Sequence, residues 1–256
     1  MAVAERSGVR IHFVDEGQGD PPFVFIPGWC CDHAFYQPQL DHFKTRHRVV
    51  ALDPRGCGRS DKPDGPYDIP TLADDVAALC RDARIEQPIL VGHSLGGMVA
   101  VEVGARYPSI PRAIVADDPG PLAITPESRA TFEAFAAALE GPDSDRARRD
   151  YIAGMFLPQH RQHQASITEA MCSVPLHIAL AQLRGVLTWN GQGALSLLTA
   201  PTLVLRCETG GGNDAARLRA FNPGLQFGVT VGAGHFHQLE VPEQVNAMIG
   251  RFVEGL

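Results

Sequence analysis

The stretch "PILVGHSLGGMVAVEVGARYP", residues 88–108, constrains the fold more than any other part of the chain. An apolar run with the length of a buried strand leads directly into a helical pattern, and Gly92-His93-Ser94-Leu95-Gly96 fills the whole junction. A strand that reverses into a helix within so few residues needs a sharp, strained turn. Glycines on both sides remove Cβ atoms that would collide, and the central serine is pushed out at the end of the strand. A Gly-x-Ser-x-Gly string alone arises often by chance; the strand–turn–helix setting separates this one from an ordinary Gly/Ser turn.

Around this turn, strand-like and helical runs alternate. "RIHFVDE", "PFVFIPG", "HRVVALD", "QPILVGHS" and "RAIVADDPG" read as strands, with "TLADDVAALCRDA" and "GGMVAVEVGARYP" as helices between them. Such alternation predicts an α/β fold with a mostly parallel central sheet flanked by helices. From about Pro121 the pattern changes: "SRATFEAFAAALE", "ARRDYIAGMF" and "PLHIALAQLRGVL" follow one another without a strand. Strands resume at "PTLVLRC" and "LQFGVTVGAGH", and "PEQVNAMIGRFVEGL" closes as an amphipathic helix opened by Pro242. The organisation expected is one core domain, residues 1–120 and 196–256, interrupted by an inserted helical cap at 121–195.

Several function classes are disfavoured by composition. A net charge of −7 and no Lys/Arg cluster give no electrostatic footprint for nucleic acid. No run approaches the ~18 apolar residues of a membrane helix, and the charged first residues do not read as a signal peptide. The six cysteines have neither the C-x-x-C spacing of a zinc site nor the density of a disulfide scaffold. A cytoplasmic protein with reduced thiols, no metal and no cofactor is expected, acting on a small molecule; oligomeric state is left open.

A serine hydroxyl needs a base within hydrogen-bond reach to act as a nucleophile. Ten histidines are available. His235, in "VGAGHFHQLEVPEQV", follows the last strand at the sheet edge where Ser94 should emerge. His237 is read as its neighbour, and His93 as a packing or hydrogen-bonding group under the turn. A metal role for the H-x-H pair lacks further ligands nearby.

Taken together, "FIPGWCCDHAFYQPQL", "VVALDPRGCGRSDKP", "LVGHSLGGMVAVEVGARYP", "PTLVLRC" and "GAGHFHQLEVPEQV" resemble, in order and spacing, the α/β-hydrolase fold family over nearly the whole chain. The resemblance implies an oxyanion hole formed by the main-chain N–H of Leu95 and by that of Trp29 in "IPGWCC", where Pro27 stands in place of a common histidine. Two such donors are worth roughly 3–4 kcal/mol each at a tetrahedral oxyanion. It also implies an acid after the "PTLVL" strand, but that turn is "CETGGGND": Cys207 takes the usual glycine's place and Gly210 the aspartate's. Glu208 sits too early, and Asp214 reads as a helix N-cap. In some family members the acid ends the strand after the nucleophile helix, and counting from "YP" to "DP" puts Asp118 there, with Asp117 as the alternative. Alternation sends only one of the two toward His235, and the strand's phase is not fixed by the sequence.

The implied activity is that of a carboxylesterase-like serine hydrolase acting on small to medium apolar esters through Ser94, His235 and Asp118. Phe132, Phe135, Met155, Phe156, Leu157, Met171 and Trp189 are candidates to line an apolar pocket or simply to fill the cap core. The alternative is a cofactor-independent dioxygenase, since "PGWCCDH" and "RAIVADD" resemble segments of quinolone dioxygenases that use a His–Asp pair as base. Leu95 counts against it, because those enzymes carry His after the elbow serine. Haloalkane dehalogenases and epoxide hydrolases need Asp at position 94.

Overall fold

The computed structural model describes residues 2–208 and 212–256 and holds one eight-stranded sheet. Its strands are β1 (Ala2–Arg6), β2 (Val9–Glu16), β3 (Phe23–Ile26), β4 (Val49–Leu52), β5 (Ile89–His93), β6 (Ala113–Asp117), β7 (Thr202–Arg206) and β8 (Gln226–Val229). They lie in the order β1-β2-β4-β3-β5-β6-β7-β8; β1 and β2 pair antiparallel, and from β4 to β8 every pairing is parallel. Every residue of β3, β4, β5 and β6 is buried, as both faces of a parallel sheet must be. The N-terminal β1 was not read from the sequence. Glu5 and Arg6 break its apolar content, and its order comes from pairing with β2.

The helices are α1 (Gln37–Phe43), α2 (Ile69–Asp82), α3 (Leu95–Arg106), α4 (Pro126–Glu140), α5 (Ser144–Ala153), α6 (Arg161–Cys172), α7 (Leu176–Thr188), α8 (Gly191–Leu197), α9 (Ala215–Arg219), α10 (His237–Glu240) and α11 (Pro242–Val253). On one face of the sheet, Phe23 and Phe25 of β3 and Ala113 and Val115 of β6 pack with Leu40 of α1 and Val245, Ile249 and Phe252 of α11. Their neighbours Val24, Ile26, Ile114 and Ala116 point to the other face, among residues of α2, α3 and the helical segment α4–α8. That segment lies wholly between β6 and β7, where the sequence pattern loses its strands.

Close packing at the β5–α3 junction explains its glycines. Ser94 has φ +54° and ψ −116°, a left-handed backbone conformation disfavoured for a residue with a Cβ. The surroundings hold it there: a Cβ on Gly92 would strike the Gly96 carbonyl, and one on Gly96 would strike the carbonyl of Ile26 in β3. Both obstacles are main chain and cannot rotate away. Gly96→Ala is therefore expected to destabilise the protein by about 1–3 kcal/mol through overpacking, read as a lower midpoint in urea with unchanged slope.

Candidate active site

Three strand ends converge at the carboxyl edge of the sheet. Ser94 follows β5, Asp118 follows β6, and His235 lies in the loop after β8. His235 Nδ1 is 2.6 Å from Asp118 Oδ2, so the ring is held through this nitrogen and Nε2 is left for other partners. Ser94 and His235 both border a cavity of about 310 Å³. Trp29 and Leu95 border it too; Leu95 opens α3, so its N–H is one that a helix leaves without an intrahelical acceptor. The loop carrying Trp29 turns sharply, with Cys30 at φ +57° and the Cys31 N–H donating to the Gly28 carbonyl at 3.1 Å.

Strand alternation separates the two adjacent carboxylates. Asp117 continues the Ala113–Val115 face, away from the cavity, where its Oδ1 lies 2.7 Å from His237 Nε2 and its Oδ2 accepts from the Tyr36 hydroxyl at 3.4 Å. Asp118, one residue on and at φ +38°, faces His235. Of the two acids left open by the sequence, Asp118 is the one brought to His235. Glu208 is elsewhere, accepting from the Gly232 N–H at 2.7 Å, and Asp214 caps α9 by accepting from the Arg217 N–H at 2.8 Å. Gly210, which takes the usual acid's place, lies outside the described residues.

Asp118 has further donors that sequence reasoning missed. The Cys207 N–H donates to its Oδ1 at 3.1 Å, and the Cys207 thiol to its Oδ2 at 3.3 Å. Burial pushes this carboxyl's pKa up, but the His235 hydrogen bond and charge, the charge of His237 and the Cys207 N–H together bring it well below the usual carboxylate range. The group stays ionised wherever the protein is folded near neutrality. The only sequence signal for Cys207 was its place at the end of β7, the strand beside β6.

Buried neighbours support the His235 loop. His93 is pushed down to about 3 by burial and by the nearby His235; it is therefore neutral, and its Nε2–H donates to the His235 carbonyl at 2.8 Å. The His235 N–H donates to the Met155 carbonyl at 2.9 Å, tying this loop to the helical segment. Glu240 accepts from the Gly234 N–H at 2.5 Å, and burial raises its carboxyl.

Of the seven side chains considered for the pocket wall, Phe132, Phe135 and Met155 line the cavity. The others do not: Phe156 stacks on Phe236 at 5.1 Å, Trp189 donates through Nε1 to Glu102 at 2.8 Å, Met171 borders a smaller void beneath, and Leu157 stands outside the wall. Tyr151, Leu183 and Val186 complete the apolar lining instead.

His12, His33 and Asp53 form the one group among the described residues with enough clustered donors to suggest a metal. Its donor atoms are in contact with each other, His33 Nδ1 and His12 Nδ1 lying 2.6 and 2.9 Å from the Asp53 oxygens. Two ligands on a tetrahedral ion stand ~3.3 Å apart, so this cluster is closed on itself as a hydrogen-bonded brace.

A model of the alpha/beta hydrolase family matches residues 23–248, which takes in all three strand ends. The chain belongs to that family. Over 96% of its length it is 28% identical to a 2-(acetamidomethylene)succinate hydrolase from Mesorhizobium japonicum, of which it covers 92%. A solved structure described as Est816, an N-acyl homoserine lactone degrading enzyme, superposes with a TM-score of 0.84 at 28% identity, covering 98% of this chain and 100% of that one. The enol-lactonase from Burkholderia xenovorans LB400 shares the fold, with a TM-score of 0.87 at 20% identity over 99% of this chain and 100% of that one. Within the α/β-hydrolase family, then, relatives of similar length carry hydrolytic names.

The buried His237–Asp117 pair gives a pH signature in stability. Burial lowers the His237 pKa, the charge and hydrogen bond of Asp117 raise it, and the net effect is a raised value. The folded protein therefore holds this proton more tightly than the unfolded chain, and the contribution is full below the ordinary histidine pKa of about 6.5. It is lost as pH rises through the raised value. Urea denaturation at a series of pH values is expected to show that decline in the wild type and a shallower one in His237→Gln.

Proposed function

We propose that the protein hydrolyses small to medium, uncharged carboxylic esters through an acyl-enzyme on Ser94. The observation that carries this reading is the joint placement of a strained, outward-pushed serine and a histidine gripped by an ionised carboxylate, both facing one apolar cavity. His235 Nε2 takes the Ser94 proton as Oγ attacks the carbonyl carbon, and Asp118 holds the ring's Nδ1–H and stabilises the imidazolium. The oxyanion of the tetrahedral intermediate is received by the main-chain N–H groups of Leu95 and Trp29. Collapse breaks the ester C–O bond as His235 returns the proton to the departing alcohol. Water, activated by the same imidazole, then releases the acid.

The helical segment 121–195 serves as a cap over this site. Membership of the α/β-hydrolase family and relatives named as hydrolases support hydrolysis as the reaction class. The choice of an uncharged substrate rests on the wall itself. Among the described residues no Lys or Arg lines the cavity, and Asp118 is an anion within it. A dicarboxylate such as a substituted succinate would enter without a counter-charge, so the preference of the Mesorhizobium relative is not carried over. Cys30, Cys31, Cys57, Cys80 and Cys172 are free thiols, which fits the cytoplasm as the proposed compartment. Among the described residues no single helix is long and apolar enough to cross a membrane.

Turnover of p-nitrophenyl butyrate and labelling by a fluorophosphonate probe test the reading. Ser94→Ala is expected to abolish labelling and to lower kcat by on the order of 10⁴-fold or more. Asp118→Asn is expected to cost roughly 10³–10⁴-fold in kcat. Asp117→Asn breaks the buried pair with His237, and its main effect is a stability loss of about 3–5 kcal/mol. No labelling of Ser94, together with oxygen uptake on a hydroxyquinolone, would establish the oxygenase reading instead.

A further inference from the structure

Among the described residues, the cavity wall contains one polar side chain without an assigned task. Ser94, His235 and Asp118 belong to the reaction, and the Cys207 thiol donates to Asp118 at 3.3 Å. The Ser128 hydroxyl is held in the capping box of α4, accepting from the Thr125 N–H at 2.8 Å, and Trp29 Nε1 donates to the Ala179 carbonyl at 2.8 Å. Tyr151 lines the same cavity, and among the described residues its hydroxyl makes no hydrogen bond to the protein. Burial alone pushes this phenol up to about 12, so it is a neutral O–H donor at any physiological pH.

A half-buried hydroxyl in an apolar wall is costly unless something pairs with it. Its ring cannot easily turn elsewhere: it stacks on Phe135 with centroids 3.8 Å apart and an interplanar angle of 18°, and meets Trp29 edge-on at 6.1 Å. Trp29 carries the proposed oxyanion donor on its main chain, so the Tyr151 ring packs against the very residue proposed to meet the scissile carbonyl. Binding sites of this kind use a few fixed polar groups in an apolar lining to select a ligand's orientation.

We infer that Tyr151 is a specificity-determining donor that recognises a second, uncharged oxygen in the substrate, a ketone or ether oxygen within a few bonds of the ester carbonyl. The inference rests on the ester-hydrolase reading of Ser94 and deepens it: the preferred substrates are oxo- or alkoxy-substituted neutral esters rather than plain alkyl ones. Phe132, Phe135 and Leu183 pack the hydrocarbon part, and the phenol reads the oxygen. No bond changes at Tyr151.

The test compares matched substrate pairs. One arm sets p-nitrophenyl hexanoate against its 4-oxo and 5-oxo analogues, which places the oxygen in the acyl part. The other sets butyl against 2-methoxyethyl hexanoate, which places it in the alcohol. The wild type is expected to favour at least one oxygenated ester over its hydrocarbon partner by roughly tenfold in kcat/KM. Tyr151→Phe is expected to bring that ratio close to one, whatever it does to the two rates separately, and Tyr151→Met to do the same. A wild type without preference in any pair, or a preference that survives both substitutions, overturns the role of Tyr151. Absence of turnover on every ester together with an unlabelled Ser94 would instead remove the ester-hydrolase reading beneath it.

Discussion

One carboxylate sets the geometry of this end of the sheet. Asp118 is buried at the tip of β6 in a left-handed backbone conformation and receives His235 Nδ1, the Cys207 N–H and the Cys207 thiol. An ionised carboxylate taken out of water persists only when such donors surround it. Meeting that need draws the β7 terminus and the loop after β8 onto the β6 tip. Alternation turns the adjacent Asp117 to the opposite face and sets it against His237, so each of the two carboxylates has its own imidazole partner. Position in the strand does what sequence distance cannot.

Much of this was legible in the sequence. The alternation of buried strands and helices gave the α/β class, and the paired glycines marked Ser94, because both follow from local backbone demands. His235 was found from its place after the last strand. The choice between Asp117 and Asp118 was hidden for a physical reason: β6 is apolar on both faces, so "AIVA" has no polar–apolar alternation to reveal which residues share a side. Cys207 escaped notice because half of its contribution is a main-chain N–H, which any residue but proline supplies. β1 was missed because an edge strand held by pairing to its neighbour needs little apolar content.

The helical segment was less readable for a related reason. A helical segment that packs on the sheet and also walls a cavity has apolar side chains on several faces, and helical periodicity does not distinguish those filling the interior from those facing the void. Phe132 and Phe156 read alike in sequence, yet one lines the cavity and the other stacks on Phe236. The glycine-rich stretch after β7 shows the opposite case. There the informative residue is its polar neighbour Asn213, whose side chain accepts from the Leu122 N–H at 2.9 Å and donates to the Pro119 carbonyl at 2.8 Å. It braces the chain just past Asp118, so a polar residue beside the glycines supports the end of β6.

Reacting and recognising parts of the cavity are joined rather than merely adjacent. Arg148, buried in α5, donates to the Val174 carbonyl at 2.8 Å and to the Cys30 sulfur at 3.1 Å, and its guanidinium lies 5.4 Å from the centre of the Trp29 ring. Trp29 in turn is anchored to α7 through the Ala179 carbonyl. The loop with the proposed oxyanion donor is thereby fixed to the same helices that carry Tyr151 and Leu183. A shift of these helices against the sheet would move the Trp29 loop with them and break the His235–Met155 hydrogen bond on the far side. The side chains proposed to select the substrate and the main-chain groups proposed to meet its carbonyl are therefore held in one register by packing, which under that reading would let a distant oxygen on the substrate influence the rate at the reacting bond.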